Sequence, residues 1–319
     1  MNKLPPRFFC VSANPAIDRR LRLAKLEVGK VNRASDAQSA PGGKAAHVAM
    51  VLRTLGADPL WIGTAGGRTG EELLRGLRAL SIRAYAERVD PETRVNLELI
   101  EASGEITEIL EPGRSLTDAN WQSFLAACER LFSNEAAGAT VIVSGSLPAA
   151  TDPDFYADLT DLAHRHGHAM FLDTSGEPLR RALESNPDFI KPNRTEAEVL
   201  TGEQITNRDV ARKAAESLRA LGAQSVVISL GHEGLLWYQH GQGTFQAQPE
   251  SVDHRSTVGC GDATVAAFAY ASAMNFDTDK TLRLAAACGA ANCLADLPGQ
   301  LSLADVRNFE PRVRIERMA

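Results

Sequence analysis

The chain has 319 residues and a formal net charge of −6, from 34 Lys and Arg against 40 Asp and Glu. Hydrophobic residues make up 44% of it, which argues against intrinsic disorder and a fibrous architecture. The acidic balance, the lack of a basic block and the lack of a long apolar segment lead us to expect no nucleic-acid partner and no membrane span. The five cysteines form no CxxC pair, so we expect free thiols and a cytoplasmic location.

Short apolar runs alternate with longer amphipathic segments along the chain. The runs predict buried parallel strands at 8–13, 59–65, 139–145, 168–173, 188–190 and 225–231. The amphipathic segments predict helices at 44–56, 69–80, 117–132 and 207–222, the first and last ending at glycine. This alternation favours a doubly wound α/β sandwich.

Two segments interrupt the alternation. Residues 93–110 predict two strands around Ser103 and Gly104, and residues 18–36 are polar and non-helical with isolated apolar positions. Both suit a small β-element outside the main sheet. Length alone suggests about two units, but no linker or repeat separates them. We therefore expect one domain over 1–319 with this β-element folded against it.

The most informative loop runs from Ser256 to Thr264 into an Ala-rich helix. Glycines before a helix start present free amides and the positive end of the helix dipole to an anion. Asp262 is then either an N-capping residue or a general base beside a bound phosphate. Residues 259–262 alone leave these two interpretations evenly matched.

A set of motifs spread over nearly the whole chain resembles the PfkB or ribokinase-like carbohydrate kinases. It is most similar to the branch with 1-phosphofructokinase, tagatose-6-phosphate kinase and the minor 6-phosphofructokinase. The motifs are Asn14-Pro15-Ala16-Ile17-Asp18, Pro41-Gly42-Gly43-Lys44, Gly145-Ser146-Leu147-Pro148, Asp173-Thr174-Ser175-Gly176, Lys191-Pro192-Asn193-Arg194-Thr195-Glu196, Ser229-Leu230-Gly231-His232-Glu233-Gly234 and Gly259-Cys260-Gly261-Asp262.

The resemblance implies a ribokinase-like three-layer α/β/α sandwich with a mainly parallel central sheet. It also implies that about 18–36 and 93–110 form a small β-sheet lid over the sugar. Such lids are often shared between two subunits, so a homodimer is expected.

The resemblance also implies roles at the reacting centre. Asp262 removes the proton from the attacking sugar hydroxyl, and the amides of Gly259, Cys260 and Gly261 form the anion hole. Asn193 and Glu196 help to hold hydrated Mg²⁺ and the ATP phosphates, although an Asn turn followed by a helix-start Glu is the local alternative.

ATP binding falls, by the same resemblance, to a second group of residues. Its members are Ser229, Gly231 and Gly234 in a phosphate and ribose loop, with Lys191 and Thr257 nearby. A plain β-turn is the alternative for these glycines.

On the sugar side, the resemblance has Asp18 accepting bonds from hydroxyls, Gly42 and Gly43 allowing close approach, and Ser146 adding a bond. Arg94 and Lys30 match positions that grip the substrate's existing phosphate, where guanidinium and ammonium groups suit a dianion. Taken without the family, Lys30 is a solvated surface lysine.

Two positions depart from the family pattern. His47 replaces an Asn that contacts sugar hydroxyls, and we expect it still to donate and accept there while altering which ketose fits. Cys260 replaces an Ala. Its place at a helix N-terminus suggests a lowered thiol pKa and sensitivity to oxidation or alkylation, against the favoured alternative of an inert small side chain.

The leading hypothesis is an ATP- and Mg²⁺-dependent kinase that phosphorylates fructose 1-phosphate, fructose 6-phosphate or tagatose 6-phosphate. The alternatives are a kinase for an unphosphorylated sugar or nucleoside and a non-catalytic sugar-phosphate sensor. A nicotinamide dehydrogenase is weaker, because no GxGxxG loop is present.

Overall fold

The structure is a computed structural model and describes residues 7–252 and 256–318. The strands are β1 (Phe8–Ser12), β2 (Ala16–Leu23), β3 (Asp36–Gly42), β4 (Pro59–Ala65), β5 (Arg83–Arg88), β6 (Arg94–Glu101), β7 (Ile106–Leu110), β8 (Thr140–Ser144), β9 (Ala169–Asp173), β10 (Phe189–Ile190), β11 (Ser225–Ser229), β12 (Leu235–Gln239), β13 (Gly243–Gln248) and β14 (Arg314–Met318). The helices are α1 (Lys44–Thr54), α2 (Gly67–Ala79), α3 (Asp118–Ser133), α4 (Phe155–Arg165), α5 (Gly176–Leu183), α6 (Arg194–Thr201), α7 (Arg208–Ala220), α8 (Cys260–Ala273), α9 (Thr278–Cys293) and α10 (Leu303–Phe309).

The main sheet has the strand order β14-β13-β12-β11-β10-β9-β8-β1-β4-β5. From β11 to β5 every pairing is parallel, and the pairings between β11 and β14 are antiparallel. The predicted strands are all present, and the strand predicted at 59–65 has those bounds. The mainly parallel sheet confirms the α/β class.

Helices cover both faces of this sheet. Side chains of β1 alternate between two cores, since Phe8 and Cys10 join one and Phe9 and Val11 the other. The first core is completed by α1, α2, α8, α9 and α10, and the second by α3 to α7. The result is the three-layer α/β/α sandwich that the sequence predicted.

A separate four-stranded sheet, the small sheet, has the order β3-β2-β6-β7. It contains most of the predicted segments 18–36 and 93–110. However, β3 begins at Asp36 and runs to Gly42, so its strand lies beyond the first segment. Arg20 and Glu98 are buried neighbours on β2 and β6, and their ion pair of 2.5 Å stabilises the parallel register of these strands.

The sequence reasoning missed β5, β12, β13 and β14. The sequence reasoning made no prediction for residues 235–248, where the chain forms a hairpin that turns at Gly241 and Gly243, both with positive φ. Its strands are short, and their apolar and polar residues alternate too little to predict strands rather than a loop. Within the described ranges, no helix combines the length and the hydropathy that crossing a bilayer requires.

Candidate active site

A cavity of about 1360 Å³ opens where the parallel strands end and the small sheet faces them. Ligands of open α/β sheets bind outside the carboxyl ends of strands, so this position is the expected one. Of the predicted site residues, all except Gly42 and Lys30 line it: Asp18, Gly43, His47, Arg94, Ser146, Lys191, Asn193, Glu196, Ser229, Gly231, Gly234, Thr257, Gly259, Cys260, Gly261 and Asp262.

The start of α8 is the centre of the cavity wall. Gly259 caps the helix with φ of 81°, a conformation that favours glycine, and Asp262 lies buried in the first turn. Buried Asn292 holds this loop, because its Nδ2 donates to the carbonyl of Val258 at 2.8 Å while its Oδ1 accepts from the amide of Gly299 at 2.9 Å. These bonds anchor the loop before the first turn, where helix N-terminal amides suit an anion. The amide of Cys260 already donates to the carbonyl of Thr257 at 3.3 Å.

Two lysines flank Asp173 beside this helix start. Nζ of Lys44 and Nζ of Lys191 each lie 3.3 Å from an oxygen of Asp173. Burial acts to raise the pKa of Asp173, but Lys191 and Lys44 outweigh it and hold that pKa below its ordinary value. Asp173 in turn raises the pKa of Lys44. Lys191 also lies against Gly261, where a Cβ would come within 3.1 Å of its Nζ. Two ammonium groups therefore face one carboxylate in this part of the cavity, although the chain as a whole is acidic.

Asp18 and His47 form the cavity wall that adjoins the small sheet. Asp18 accepts a hydrogen bond of 2.9 Å from Nδ2 of Asn96, and a Cβ at Gly42 would collide with its carboxylate. Gly42 thus lets Asp18 approach the backbone, although Gly42 itself does not line the cavity.

His47 is 4% exposed and uses both ring nitrogens. Nδ1 lies 2.8 Å from Oδ2 of Asp262, and Nε2 lies 2.8 Å from Oδ2 of Asp18. In this structure both nitrogens are bonded to carboxylates, and the expected contact of His47 with sugar hydroxyls stays a prediction. Burial works against the charged ring, but hydrogen bonds to Asp18 and Asp262 outweigh it and raise the pKa of His47 to about 10.

Arg94 and Ser146 lie further along the same wall. Arg94 donates from Nη1 to the carbonyl of Glu111 at 2.8 Å, while its buried Nε has no hydrogen-bond partner among the described residues. Oγ of Ser146 accepts a bond of 3.3 Å from Asn14. The guanidinium therefore has capacity left for an anion.

Asn193 and Glu196 form a reciprocal capping box at the start of α6. The Asn193 side chain accepts from the amide of Glu196 at 2.9 Å, and Oε2 of Glu196 accepts from the amide of Asn193 at 2.8 Å. The local alternative, an Asn turn with a helix-start Glu, is therefore present. Both residues still line the cavity, so the two interpretations are compatible.

The loop after β11 brings Ser229, Gly231 and Gly234 to the cavity. It is a short 3₁₀ turn in which both glycines have positive φ, at 63° and 88°. A Cβ on Gly234 would also collide with the carbonyl of Ala247 on β13. Thr257 lies on the cavity wall just after residues 253–255, which are outside the described residues.

Lys30 does not reach the cavity within this chain. It lies in the exposed turn between β2 and β3, and its ammonium lies 2.9 Å from Glu27. Within this chain the turn carries Lys30 away from the cavity wall, so its role in binding the substrate phosphate stays a prediction.

The comparisons with known proteins follow this geometry. The family model of the pfkB family carbohydrate kinases matches residues 10–300. The chain belongs to this family. It is accordingly a carbohydrate kinase, a phosphotransferase with an alcohol acceptor, as the sequence predicted.

Three proteins illustrate its relatives. A 1-phosphofructokinase of Xanthomonas campestris pv. campestris is 38% identical over 266 residues, covering 82% of each chain. Phosphofructokinase-2 from Escherichia coli in complex with fructose-6-phosphate superposes with a TM-score of 0.87 at 28% identity, covering 97% of this chain and 99% of that one. Ribokinase of Arabidopsis thaliana, complexed with ribose and ATP, has a TM-score of 0.76 at 20% identity over 97% and 99%, which shows the ribokinase-like fold alone.

The lowered pKa suggested for the thiol of Cys260 is not found in this carbohydrate kinase. Its Sγ lies 3.1 Å from Sγ of Cys293, and the pKa of Cys260 is raised, first by that hydrogen bond and then by burial. The same bond lowers the pKa of Cys293 instead. The hydrogen bond outweighs the helix N-terminus here: Cys260 donates and its pKa rises, whereas Cys293 accepts and becomes the more acidic thiol.

Several polar residues of this kinase's cavity were not predicted as site residues, among them Asn14, Lys44, Asn96 and Asp173. Asp173 had a sequence signal, since it ends a continuous apolar strand in the motif Asp173-Thr174-Ser175-Gly176. Lys44 belongs to the motif Pro41-Gly42-Gly43-Lys44, but only its glycines were assigned a role.

Proposed function

We propose that this carbohydrate kinase uses ATP to phosphorylate a ketohexose monophosphate to the bisphosphate, with fructose 1-phosphate as the foremost substrate. The relatives named 1-phosphofructokinase support this choice, being 38% and 35% identical in two organisms. The observation that carries the proposal is the place of Asp262. It lies at the start of α8, between the lysine-lined half of the cavity and the half formed by Asp18 and Arg94.

Proton transfer in the proposed mechanism belongs to Asp262. Its carboxylate accepts the proton of the primary sugar hydroxyl as that oxygen attacks the γ-phosphoryl group of ATP. In fructose 1-phosphate that hydroxyl is at C6. The protein's main work is to keep donor and acceptor in line, which the facing walls of one cavity favour.

Negative charge on the transferring group is met by the first-turn amides at Gly259, Cys260 and Gly261. Preorganised donors of this kind stabilise developing charge without rearranging during the reaction. Lys191, held against Gly261 and paired with Asp173, adds a fixed positive charge beside them.

The phosphate already on the sugar suits Arg94. A guanidinium binds phosphate oxygens in a forked geometry, and the unpartnered Nε of Arg94 fits that use. Asp18 and Asn96 would orient the sugar hydroxyls beside it. Unphosphorylated sugars would leave this guanidinium without a partner.

The residues near α6 fit a hydrated Mg²⁺. In the described part of the chain, no three His, Cys, Asp or Glu side chains gather as a metal cage. Mg²⁺ commonly keeps several waters and uses one or two carboxylates with substrate phosphates, which matches Glu196 and Asn193 on the cavity wall. When bound, Mg²⁺ would neutralise charge on the ATP phosphates.

The small sheet is proposed as a lid and as a dimer interface. Large apolar side chains of the sheet and its connecting turn are exposed in the single chain: Ile109 on β7 is 51% exposed and Leu110 58%, and in the turn between β2 and β3 Val28 is 94% exposed and Val31 79%. Apolar exposure on this part of the surface suits a second copy of the chain. Closure of the sheet over the sugar would exclude water as a competing acceptor.

We also propose a cytoplasmic location. All five cysteines are free thiols in this structure, which suits a reducing compartment.

Steady-state turnover with ATP tests the substrate. Fructose 1-phosphate, fructose 6-phosphate, tagatose 6-phosphate and fructose should be compared, with the product identified by phosphorus NMR. The proposal expects the highest kcat/KM for fructose 1-phosphate and a bisphosphate product. Preference for fructose would favour a kinase of unphosphorylated sugars, and binding of all four without turnover would favour a sensor.

A further inference from the structure

His47 connects two carboxylates that belong to different parts of the fold. It projects from the first turns of α1, between Asp18 of β2 and Asp262 of α8. Both hydrogen bonds measure 2.8 Å, and all three side chains are at least 93% buried. Behind the ring, Gly299 packs so closely on Cα of His47 that a Cβ would come within 2.8 Å. Hydrogen bonds therefore fix both ring nitrogens of His47, and Gly299 packs against its backbone.

This geometry fixes the charge of the ring. An ionised carboxylate only accepts hydrogen bonds, so two such partners require both ring nitrogens to carry protons. Burial acts to raise the pKa of Asp18, but His47 first, and then Asn96 and Arg94, favour the ionised form and hold that pKa below its ordinary value. The bridge is then an imidazolium between two anions.

The other charged groups around the bridge are consistent with this assignment. Lys44 on α1 interacts with Asp262, and Arg94 on β6 interacts with Asp18. Glu108 on β7 adds negative charge near Asp18, and Glu98 on β6 is paired with Arg20. Further negative charge at Asp18 also favours the protonated ring.

We propose that His47 is a positioning residue that, as an imidazolium, ties the carboxylate of Asp262 to that of Asp18, fixing the proton acceptor relative to the sugar-orienting acid. The bond uses Oδ2 of Asp262, and within the described residues no protein group bonds to its Oδ1. The bridge thus leaves Oδ1 of Asp262 as the oxygen available to the attacking hydroxyl. This inference rests on the proposed function for its kinetic consequence, but not for the bridge itself.

The bridge is tested without turnover by ¹⁵N NMR of the histidine side chains, with His47 assigned by its absence in the His47→Gln variant. Both ring nitrogens should show imidazolium shifts at about pH 8, well above the ordinary histidine pKa of about 6.5. In the variants Asp18→Asn and Asp262→Asn, the titration of the His47 ring should move to lower pH. A neutral ring at pH 8, or a titration that neither variant moves, overturns the proposal whatever the substrate is.

Kinetics then test whether His47 affects turnover through Asp262. In His47→Gln, kcat should fall by about 10- to 100-fold, with KM for ATP unchanged; a misplacement of ~1 Å can cost about 10²-fold. Exposed His240 provides the matched control His240→Gln, which should behave as wild type. In an Asp262→Asn background, His47→Gln should cost almost nothing more. Additive losses would mean a merely structural role and would overturn the proposal.

Discussion

Sγ of Cys260 and Sγ of Cys293 lie 3.1 Å apart, at the start of α8 and the end of α9. Both cysteines line the cavity and are partly exposed, whereas Cys10, Cys128 and Cys288 are buried. A disulfide needs the sulfurs only about 1 Å closer. We therefore expect this pair to react before the other three thiols.

Oxidation should cross-link this pair and inactivate the kinase. Diamide would take two protons and two electrons from the thiols, becoming the hydrazine as the disulfide forms. Activity should fall about 10-fold or more, because the first-turn amides of α8 would shift. Peptide mapping should find the Cys260–Cys293 link, ATP should slow its formation, and Cys293→Ser should resist. Full activity of the mapped disulfide would contradict the prediction.

Asp262→Asn should lower kcat by about 10²- to 10⁴-fold, because the amide cannot accept the hydroxyl proton. ATP binding, measured by calorimetry, should change little, since the lysine-lined half of the cavity is untouched. Near-normal turnover would remove Asp262 from its proposed role.

Arg94→Ala should raise KM for the ketohexose phosphate by about 10- to 100-fold, the loss of a charged hydrogen-bonded contact of ~1.5–3 kcal/mol. KM for ATP should stay constant. The matched control is Arg83→Ala, an exposed arginine paired with Asp58 at 3.1 Å on the edge of the main sheet. If KM for the sugar phosphate were unchanged in Arg94→Ala, the phosphate must bind elsewhere and an unphosphorylated substrate would become the better hypothesis.

The stability of the protein should fall at alkaline pH through His47. The folded state raises the pKa of this residue from 6.5 to about 10, so its bridge contributes fully below about pH 6.5 and is lost as pH rises toward 10. Asp18 has a lowered pKa, and its contribution is lost at the other end, as pH falls below the ordinary value of 3.8. Urea midpoints should therefore decline from pH 7 to pH 10 more steeply in wild type than in His47→Gln. Parallel profiles would show that the bridge does not titrate with folding.

The sequence predicted the strands and the anion-binding loop because those signals are local. The runs at Phe8 and Pro59 are continuous, and Gly259 to Asp262 are adjacent in the chain. The His47 bridge joins residues 29 and 215 positions away, so no local pattern reveals it. The same holds for the cysteine pair, separated by 33 positions.

For Lys30 the sequence indicates a motif position but not where the side chain lies. A motif position identifies the residue type, but the direction of the turn between β2 and β3 decides which surface receives the side chain. Here that turn projects into solvent and pairs Lys30 with Glu27. Only three-dimensional structure separates the two possibilities.

The capping box of α6 has a consequence for metal affinity. Oε2 of Glu196 is occupied by the amide of Asn193, which restricts the rotamers of a side chain that lines the cavity. Long flexible carboxylates lose conformational entropy when they bind an ion. In Glu196 that loss occurs when the protein folds, so in the proposed Mg²⁺ site this carboxylate would be ordered before any ion arrives. A substitution at Glu196 would then both fray the start of α6 and weaken the proposed site.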